Sequence, residues 1–223
     1  MNCKVELAAF ERIATGKDTQ TRLILIHGKS GTGKTRLLKE YEQIAIQNSL
    51  DLLPVFLEEV ISIEECLEQI VYYFGPHHFP RYQEFVKSDR PDQIAKIQKW
   101  QTDLTREFFV DLNHHNDASR LALFFDKYEK ADRSFRNWVG RVFLPGIRSQ
   151  QKLIVVIAGQ EEVAPKPVGQ SQCAFHLDGF SVDYFHQYVK ACQVEIDAFF
   201  INEVHKMLHG YPKAFVDYVR SQL

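Results

Sequence analysis

The feature that most constrains the fold is the segment GKSGTGKT at residues 28–35. Directly before it, residues 21–27 (TRLILIH) form a short Leu- and Ile-rich run that is typical of a buried strand. Directly after it, residues 34–49 place apolar side chains three and four positions apart, which predicts a helix with one apolar face. A G-x-x-x-x-G-K-[ST] segment between a strand and a helix is the pattern of a loop that binds phosphate groups.

The residue types in this loop suit a nucleotide and its magnesium ion. Glycines let the backbone turn its N–H groups inward, and the start of the following helix adds the positive end of its dipole. Lys34 is predicted to reach the β- and γ-phosphates in a catalytic role, and Thr35 to offer its hydroxyl to Mg²⁺. The predicted nucleotide-binding residues of the loop are Gly28, Lys29, Ser30, Gly31, Thr32, Gly33, Lys34, Thr35 and Arg36. The alternative is a Gly-rich turn without a ligand.

Strands and helices alternate along most of the chain. Apolar runs predict further strands at residues 52–57, 121–125, 153–158 and 174–177. Helical spacing predicts further helices at residues 5–13, 63–74 and 135–144. This alternation favours an α/β fold with a parallel β-sheet core flanked by helices.

Two parts of the chain depart from the alternation. Residues 76–112 contain a Pro-punctuated break followed by a polar helical stretch, and we interpret them as a helical insertion. After residue 180 only helical patterns occur, with Ser181 as a cap and further helices at 197–208 and 212–223. The chain is therefore predicted to divide into an α/β core, residues 1–179, and a small helical subdomain, residues 180–223.

Two acidic residues follow the strand predicted at 121–125. A phosphate-binding loop needs a carboxylate on the metal side at the end of a neighbouring strand, and Asp126 stands in that place. Glu129, three residues later, is predicted to orient or deprotonate an attacking water molecule. The alternative for Glu129 is an acidic residue that stabilises the start of a helix through its dipole.

A further polar residue, Gln160, follows the strand predicted at 153–158. Ligands of open α/β sheets lie at the carboxyl ends of the strands, so Gln160 is predicted to touch the γ-phosphate or its water, unless it is merely a turn residue. The candidates for an arginine that stabilises the transition state are Arg136, Arg141 and Arg148.

Composition excludes several other classes of function. The chain has 27 Lys and Arg against 29 Asp and Glu, so constitutive nucleic-acid binding is disfavoured. Four scattered cysteines without a C-x-x-C pair favour reduced thiols in a cytoplasmic protein. The apolar runs are too short for a membrane span. The adjacent histidine pairs at 77–78 and 114–115 diverge rather than converge on zinc, and the aromatic residues at 72–85 are interpreted as packing.

Taken together, these motifs resemble STAND-type ATPases, which are related to AAA+ proteins within the ASCE class of P-loop NTPases. The resemblance rests on the loop at 28–35, the acidic pair Asp126 and Glu129, the strand that leads to Gln160, and the C-terminal segment His209-Gly-Tyr-Pro212. That last segment resembles the Gly-x-Pro motif that opens a helix of the lid in this family. The likeness covers about residues 5–219.

The resemblance implies ATP or ADP bound with Mg²⁺ between a five-stranded parallel core and a helical lid. It implies further that Gly210 and Pro212 lie near the base and that Gln160 occupies the sensor position. It suggests a slowly hydrolysing switch ATPase in signalling or regulation, with protein partners or additional domains and a nucleotide-dependent oligomer. Lys127 stands where many relatives carry an acidic residue, so catalysis would depend on Glu129. Two alternatives are a non-hydrolysing module with nucleotide as a structural ligand and a P-loop kinase.

Overall fold

In the part of the chain that the structure describes, five parallel strands form one central sheet. The computed structural model describes residues 3–57, 62–88, 90–114, 120–147, 150–161 and 172–221. The strands are β1 (Leu23–His27), β2 (Asp51–Phe56), β3 (Leu121–Asp126), β4 (Leu153–Gly159) and β5 (Gln172–His176). Their order across the sheet is β2-β3-β4-β1-β5, and every neighbouring pair is parallel. The predicted α/β class with a five-stranded parallel core is confirmed.

The two continuous apolar runs of the sequence form strands β3 and β4, which are buried on both faces of the sheet. All residues of β4 are buried, and in β3 only Asp126, at its end, is partly exposed. Parallel strands between two layers of helices need such runs, because neither face of the strand meets water. The edge strand β2 carries Pro54, which is tolerated there because an edge strand has N–H positions without a ladder partner.

Register decides which strand ends meet. His27 pairs with Gly159, and Phe125 pairs with Ile157. The carboxyl ends of β1, β3 and β4 therefore lie at one edge of the sheet. The residues that follow them, Gly28, Lys127 and Gln160, begin the loops at that edge.

Two helices cover one face of the sheet. They are α1 (Lys4–Ala14) and α2 (Lys34–Gln47). Phe10 of α1 stacks on Tyr41 of α2 with ring centroids 4.3 Å apart, and both rings meet the edge or face of Phe124 from β3. Tyr41 is fully buried and donates its hydroxyl to Glu6 O at 3.0 Å, and burial raises its pKa well above the ordinary value.

The opposite face is covered by the helices of the middle of the chain. These are α3 (Ile63–Phe74), α4 (Pro80–Val86), α5 (Ile94–His114), α6 (Arg133–Trp138) and α7 (Leu144–Ile147). Helix α4 was not predicted from the sequence, in which residues 75–80 indicated a break. Pro80 instead starts the helix, where a missing N–H costs nothing, and Asp111 of α5 accepts a hydrogen bond from Tyr82 N at 2.9 Å. This remote cap is a tertiary contact that local sequence does not reveal.

The helix predicted at 135–144 is present, but it is not α-helical throughout. A π-helical turn, Val139–Phe143, separates α6 from α7, and Leu144 N donates to Val139 O. Pro145 has no N–H and its ring would crowd the carbonyl one turn back, so a wider turn before it relieves the conflict. Gly146 lies against the ring of Phe109, where a Cβ would come within 2.2 Å of a ring carbon.

Three helices after the sheet have an apolar cluster of their own. They are α8 (Val182–Ala191), α9 (Ala198–Met207) and α10 (Pro212–Arg220). Their buried residues are Phe185, Val189, Ile201, Phe215 and Val219. Ser181 is the residue before α8, as predicted, but its side chain forms no capping hydrogen bond within the described residues. None of the described helices combines the length and apolar character needed to span a membrane.

Candidate functional site

Residues 28–33, here called the P-loop, join β1 to α2, and glycine is required at three of their positions. Gly31 and Gly33 have φ of 84° and 97°, in the left-handed region that other residues avoid. A Cβ on Gly28 would lie 2.4 Å from Leu177 O, so the chain that leaves β5 passes directly beside this glycine. Glycine is therefore required at Gly31 and Gly33 by the backbone conformation, and at Gly28 by lack of space for a side chain.

Lys34 begins α2 and directs its charge back into the P-loop. The residue is only 8% exposed, and Nζ donates to Gly28 O at 2.6 Å and to Lys29 O at 2.9 Å. Burial lowers the pKa of Lys34, while the negative charges of Glu129 and Asp126 act in the opposite direction. A partly desolvated cation is thus held inside a loop whose glycines open the backbone to an anion.

Thr35 and Asp126 meet across the edge of the sheet. Thr35 Oγ1 donates to Asp126 Oδ2 at 2.8 Å, and Asp126 Oδ1 accepts from Lys127 N at 2.8 Å. A hydroxyl and a carboxylate side by side are hard oxygen donors of the kind that Mg²⁺ prefers. The described residues contain no group of three or more His, Cys, Asp or Glu suited to a metal, so a magnesium ion here would complete its shell with phosphate oxygens and water. The donor set fits that ion.

Glu129 and Gln160 are also brought together. Lys127 adopts a left-handed conformation with φ of 56°, and the chain then turns through the short helix Tyr128–Lys130. Glu129 Oε2 accepts from Gln160 N at 3.0 Å, and Oε1 accepts from Gln160 Nε2 at 2.9 Å. The predicted base and the predicted sensor residue therefore form one hydrogen-bonded unit at the ends of β3 and β4.

Other predicted side chains point elsewhere. Arg36 pairs with Glu40 on the exposed side of α2, and the Thr32 hydroxyl donates to Lys29 O. The side chains of Lys29 and Ser30 are exposed.

Two of the three candidate arginines, Arg136 and Arg141, lie within the described residues. Among the described residues, neither Arg136 nor Arg141 forms a hydrogen bond or ion pair with the P-loop, Asp126 or Glu129. Arg148 lies outside the described residues.

Gly210 has a packing role that the sequence did not suggest. Its φ is 73°, and a Cβ there would lie 2.4 Å from Phe180 O. Phe180 N donates to Gly210 O at 2.7 Å, and a Cβ on Gly179 would lie 2.2 Å from His209 O. The segment that follows β5 therefore crosses the turn before α10, and the two backbones are in direct contact. Gly179 and Gly210 make this contact possible because neither has a side chain. Pro212 is the first residue of α10.

Three residues near the C-terminal helices reach the P-loop and were missed in the sequence analysis. Lys29 Nζ lies 5.9 Å from the centroid of the Tyr211 ring. Lys213 Cβ lies 3.7 Å from the position that a Cβ on Gly31 would occupy. Phe180 Cζ lies 3.6 Å from the position that a Cβ on Gly33 would occupy. Their position beside Gly210 and Pro212 was the available signal. These contacts bring α10 and the segment before α8 over the loop.

No protein-family model matches the sequence. A search of curated proteins gives no significant match.

Solved structures do resemble the fold. A STAND (signal transduction ATPase with numerous domains) protein with a tetratricopeptide repeat sensor from Pyrococcus horikoshii is 14% identical, with a TM-score of 0.55 over 95% of this chain and 28% of its own. Thermotoga maritima RuvB, a Holliday junction branch migration motor, is 13% identical, with a TM-score of 0.54 over 98% and 60%. Pyrobaculum aerophilum Cdc6p is 11% identical, with a TM-score of 0.51 over 84% and 48%.

This chain therefore spans between 28% and 60% of the length of these three structures. At such low identities the likeness is one of fold. The chain therefore shares its fold with this STAND protein, with RuvB and with Cdc6p.

Proposed function

We propose that the chain binds ATP with Mg²⁺ at the P-loop, hydrolyses it slowly, and uses the nucleotide as a switch in signalling or regulation. One observation carries this proposal: Lys34, the Thr35–Asp126 pair and the Glu129–Gln160 pair meet at a single edge of the sheet. A cation, a hard oxygen pair and a second carboxylate are the groups that phosphoryl transfer to water requires.

Binding would begin with the P-loop and Lys34. The backbone N–H groups and the start of α2 favour an anion, and the Lys34 ammonium already lies within the loop. Thr35 and Asp126 would hold Mg²⁺, which supplies positive charge to the phosphate oxygens when bound. Tyr211 lies beside Lys29 and Lys213 lies beside Gly31, so both side chains would be candidates to contact a nucleotide held by the loop.

Hydrolysis would use Glu129 as the general base. As the water oxygen bonds to the γ-phosphorus, the bond to the bridging oxygen breaks, and ADP and inorganic phosphate result. The water proton passes to the Glu129 carboxylate and then to solvent. Lys34 would stabilise the charge that develops on the phosphate oxygens.

The switch would act through the C-terminal helices. Their separate apolar cluster supports a lid of residues 180–223 on a core of residues 1–179, with residues 76–112 as an insertion in that core. ATP can shift the lid only if it binds one lid position more tightly than the other. The Pyrococcus horikoshii protein is a signal transduction ATPase with numerous domains and a repeat sensor, which supports a signalling role and protein partners or further domains for this chain. We propose in addition a nucleotide-dependent oligomer.

Replacing the proposed base tests the hydrolytic part. Glu129→Gln keeps the size of the side chain but removes its basicity, so phosphate release should fall by about 100-fold or more, within the range of general-base contributions. The dissociation constant for Mg·ATP should stay within about threefold, a shift of about 0.7 kcal/mol.

The matched control for that experiment is Glu42→Gln, an exposed carboxylate on α2. It should release phosphate at the wild-type rate. Wild-type turnover in Glu129→Gln would remove Glu129 from the role of base.

The magnesium part has its own test. Asp126→Asn replaces a charged oxygen ligand with a neutral amide, so the Mg²⁺ concentration that gives half-maximal ATP binding should rise by about tenfold, the equivalent of about 1.4 kcal/mol. Asp92→Asn, at an exposed position outside the site, serves as the control. An unchanged Mg²⁺ requirement in Asp126→Asn would exclude Asp126 as a ligand.

A second candidate function is a non-hydrolysing nucleotide-binding module. It is favoured by Lys127 directly after Asp126 and by the fact that both oxygens of Glu129 already accept hydrogen bonds. Wild-type protein that retains ADP or ATP through purification but releases no phosphate would support this function over the switch ATPase.

A further inference from the structure

The C-terminal helices expose three aromatic side chains, here called the aromatic patch. Phe199 is 73% exposed, and Phe200 and Tyr218 are each 38% exposed. Phe200 of α9 lies against Tyr218 of α10, with ring centroids 5.4 Å apart. The three side chains expose on the order of 300 Å² of aromatic surface, because an aromatic residue has about 150–250 Å² in all. A contiguous apolar patch of a few hundred Å² is typical of an interaction site.

The aromatic patch and the P-loop occupy different parts of the molecule. The start of α10 approaches the P-loop through Tyr211 and Lys213. The nine residues of α10 rise about 13 Å along the helix, and Tyr218 lies in the last turn. The patch is therefore available to a partner whether or not a nucleotide occupies the loop.

An open groove adjoins the aromatic patch. It lies between the last turn of α8 and the start of α9 and has a volume of about 530 Å³. Its apolar lining consists of Val189, Val194, Ile196 and Ile201. Phe199 stands at the rim of the groove, two positions before Ile201 on α9. One surface thus carries both a protruding ring and an apolar groove.

The backbone that carries the two phenylalanines is fixed in place. Asp197 Oδ1 accepts hydrogen bonds from Phe199 N at 2.8 Å and from Phe200 N at 3.1 Å. Rings on a fixed backbone lose little conformational freedom when they bind, which favours association. Large aromatic side chains that enter a pocket are also the usual anchors of an interface.

The groove carries one charge of each sign on its two sides. Lys190 comes from the end of α8, and Glu195 comes from the turn that leads to α9; both are exposed. In the part of the chain that the structure describes, neither of them forms an ion pair. Between two copies related by a two-fold axis, the Lys190 of each copy can face the Glu195 of the other.

We propose that two copies of this chain associate through this surface, with Phe199 of each copy in the groove of the other. The ring, the groove and both charges lie on the same surface, as the self-complementary interface of a two-fold dimer requires. The area is at the lower end of specific interfaces, below about 1,200 Å² in total, so the dimer is reversible, with a dissociation constant of about 10 µM. This inference goes beyond the proposed ATPase and does not depend on it, because the surface contains no P-loop residue.

Sedimentation velocity from about 1 µM to about 200 µM covers the expected dissociation constant and tests the dimer. The wild type should pass from monomer to dimer over this range, both with and without Mg·ATP. Phe199→Ala should raise the dissociation constant of the dimer by about 30-fold, as expected for an anchor residue. Since Phe199 is mostly exposed, the unfolding free energy of the monomer should stay unchanged in urea. Tyr72→Ala, at a 79% exposed position on α3, is the matched control and should dimerise as the wild type does.

A charge exchange tests the two-fold arrangement itself. Lys190→Glu and Glu195→Lys should each raise the dissociation constant about tenfold, because like charges then face each other across the interface. The double variant restores both pairs and should return to within about threefold of the wild type. Lys39→Glu, at an exposed position on α2, controls for the change in net charge.

Each contrary result has its own meaning. A wild type that stays monomeric at about 200 µM would overturn the dimer and leave the groove to another protein or a small molecule. A dimer that Phe199→Ala does not weaken, or that the double charge variant does not restore, would overturn this surface as the interface. A dimer that forms only with Mg·ATP would overturn it as well, because the nucleotide-dependent oligomer would then account for it. Phosphate release by wild type and Glu129→Gln decides the ATPase proposal separately.

Discussion

At the scale of single residues, Lys34 carries its charge in a place from which water is largely removed. Its ammonium is held by two carbonyl oxygens of the P-loop, and burial lowers its pKa. Carbonyl dipoles compensate a buried charge less well than an anion does. Phosphate oxygens that enter the loop would therefore gain a strong, partly desolvated partner.

Removing this charge should weaken nucleotide binding. Lys34→Ala is expected to raise the Mg·ATP dissociation constant about 100-fold, which corresponds to about 2.7 kcal/mol and to charge-assisted hydrogen bonds. Titration calorimetry or a fluorescent ATP analogue measures the change. Lys39→Ala, an exposed lysine on the same helix, should bind as the wild type does.

The lowered pKa of Lys34 gives this interaction a pH dependence. The charged form binds phosphate, and a lowered pKa means that the proton is lost at a lower pH than the ~10.4 of an ordinary lysine. Affinity should therefore be full near neutral pH and fall as the pH rises through the lowered pKa. The Lys34→Ala variant should lack this fall, and equal slopes in both proteins would contradict the assignment.

At the scale of elements, the contact between the segment after β5 and the turn before α10 joins the C-terminal helices to the sheet. Phe180 bonds to Gly210 through its N–H, and its carbonyl lies 2.7 Å from His205 Nε2. Gly179 and Gly210 allow the two backbones to touch. A contact between two backbones leaves no room for an added side chain, so these glycines are expected to control how the C-terminal helices attach to the sheet.

A comparison of two glycines with the same φ distinguishes the cost of a left-handed backbone conformation from the cost of a steric clash. Gly16 and Gly210 both have φ of 73°, but a Cβ on Gly16 meets nothing within 4 Å. Gly16→Ala should cost only the left-handed strain, about 1 kcal/mol of unfolding free energy. Gly210→Ala should add an overpacking cost of about 1–3 kcal/mol.

Urea denaturation and hydrogen exchange in α8, α9 and α10 measure the two losses. Exchange should accelerate in these helices for Gly210→Ala and stay unchanged there for Gly16→Ala. Equal effects of the two substitutions would show that the close contact at Gly210 does not hold the C-terminal helices in place.

At the scale of the whole molecule, apolar clusters lie on each face of the sheet and a third lies within the C-terminal helices. The third contains five buried residues, and Phe185 and Phe215 stack at its centre with ring centroids 4.1 Å apart. A small cluster buries little apolar surface and so contributes little stability. We therefore expect these helices to unfold locally at a lower free energy than the sheet does.

Replacing one aromatic ring of the third cluster tests whether the C-terminal helices are less stable than the sheet. Phe215→Ala should cost about 3–5 kcal/mol, a loss that the small cluster cannot absorb, and should unfold α8, α9 and α10 while the sheet persists. Hydrogen exchange followed by mass spectrometry would show lost protection in those helices and retained protection in β3 and β4.

Phe108→Ala is the matched control in the large cluster beneath the sheet. It should lower protection in β3 and β4. Loss of protection in β3 for Phe215→Ala equal to that in α9 would contradict a separately folding lid.

The sequence by itself determined the elements whose information is contiguous. Residues 21–49 contain, in one stretch, the strand before the P-loop, its glycines and the start of the following helix. Strands β3 and β4 can be recognised in the sequence as continuous apolar runs. The pairing of Thr35 with Asp126, 91 positions apart, could be predicted because parallel strand ends share an edge. The physical reason in each case is periodicity or backbone freedom, both of which are local.

Tertiary structure alone decided the contacts that depend on partners distant in the chain. The start of α4 needs Asp111, and the approach of Phe180, Tyr211 and Lys213 to the P-loop needs the whole lid in place. The bonds from Gln160 to Glu129 depend on the strain that Lys127 accepts in its left-handed turn. Such contacts are fixed by the packing of completed elements, and no periodic pattern in the sequence encodes the distance between two side chains on different elements.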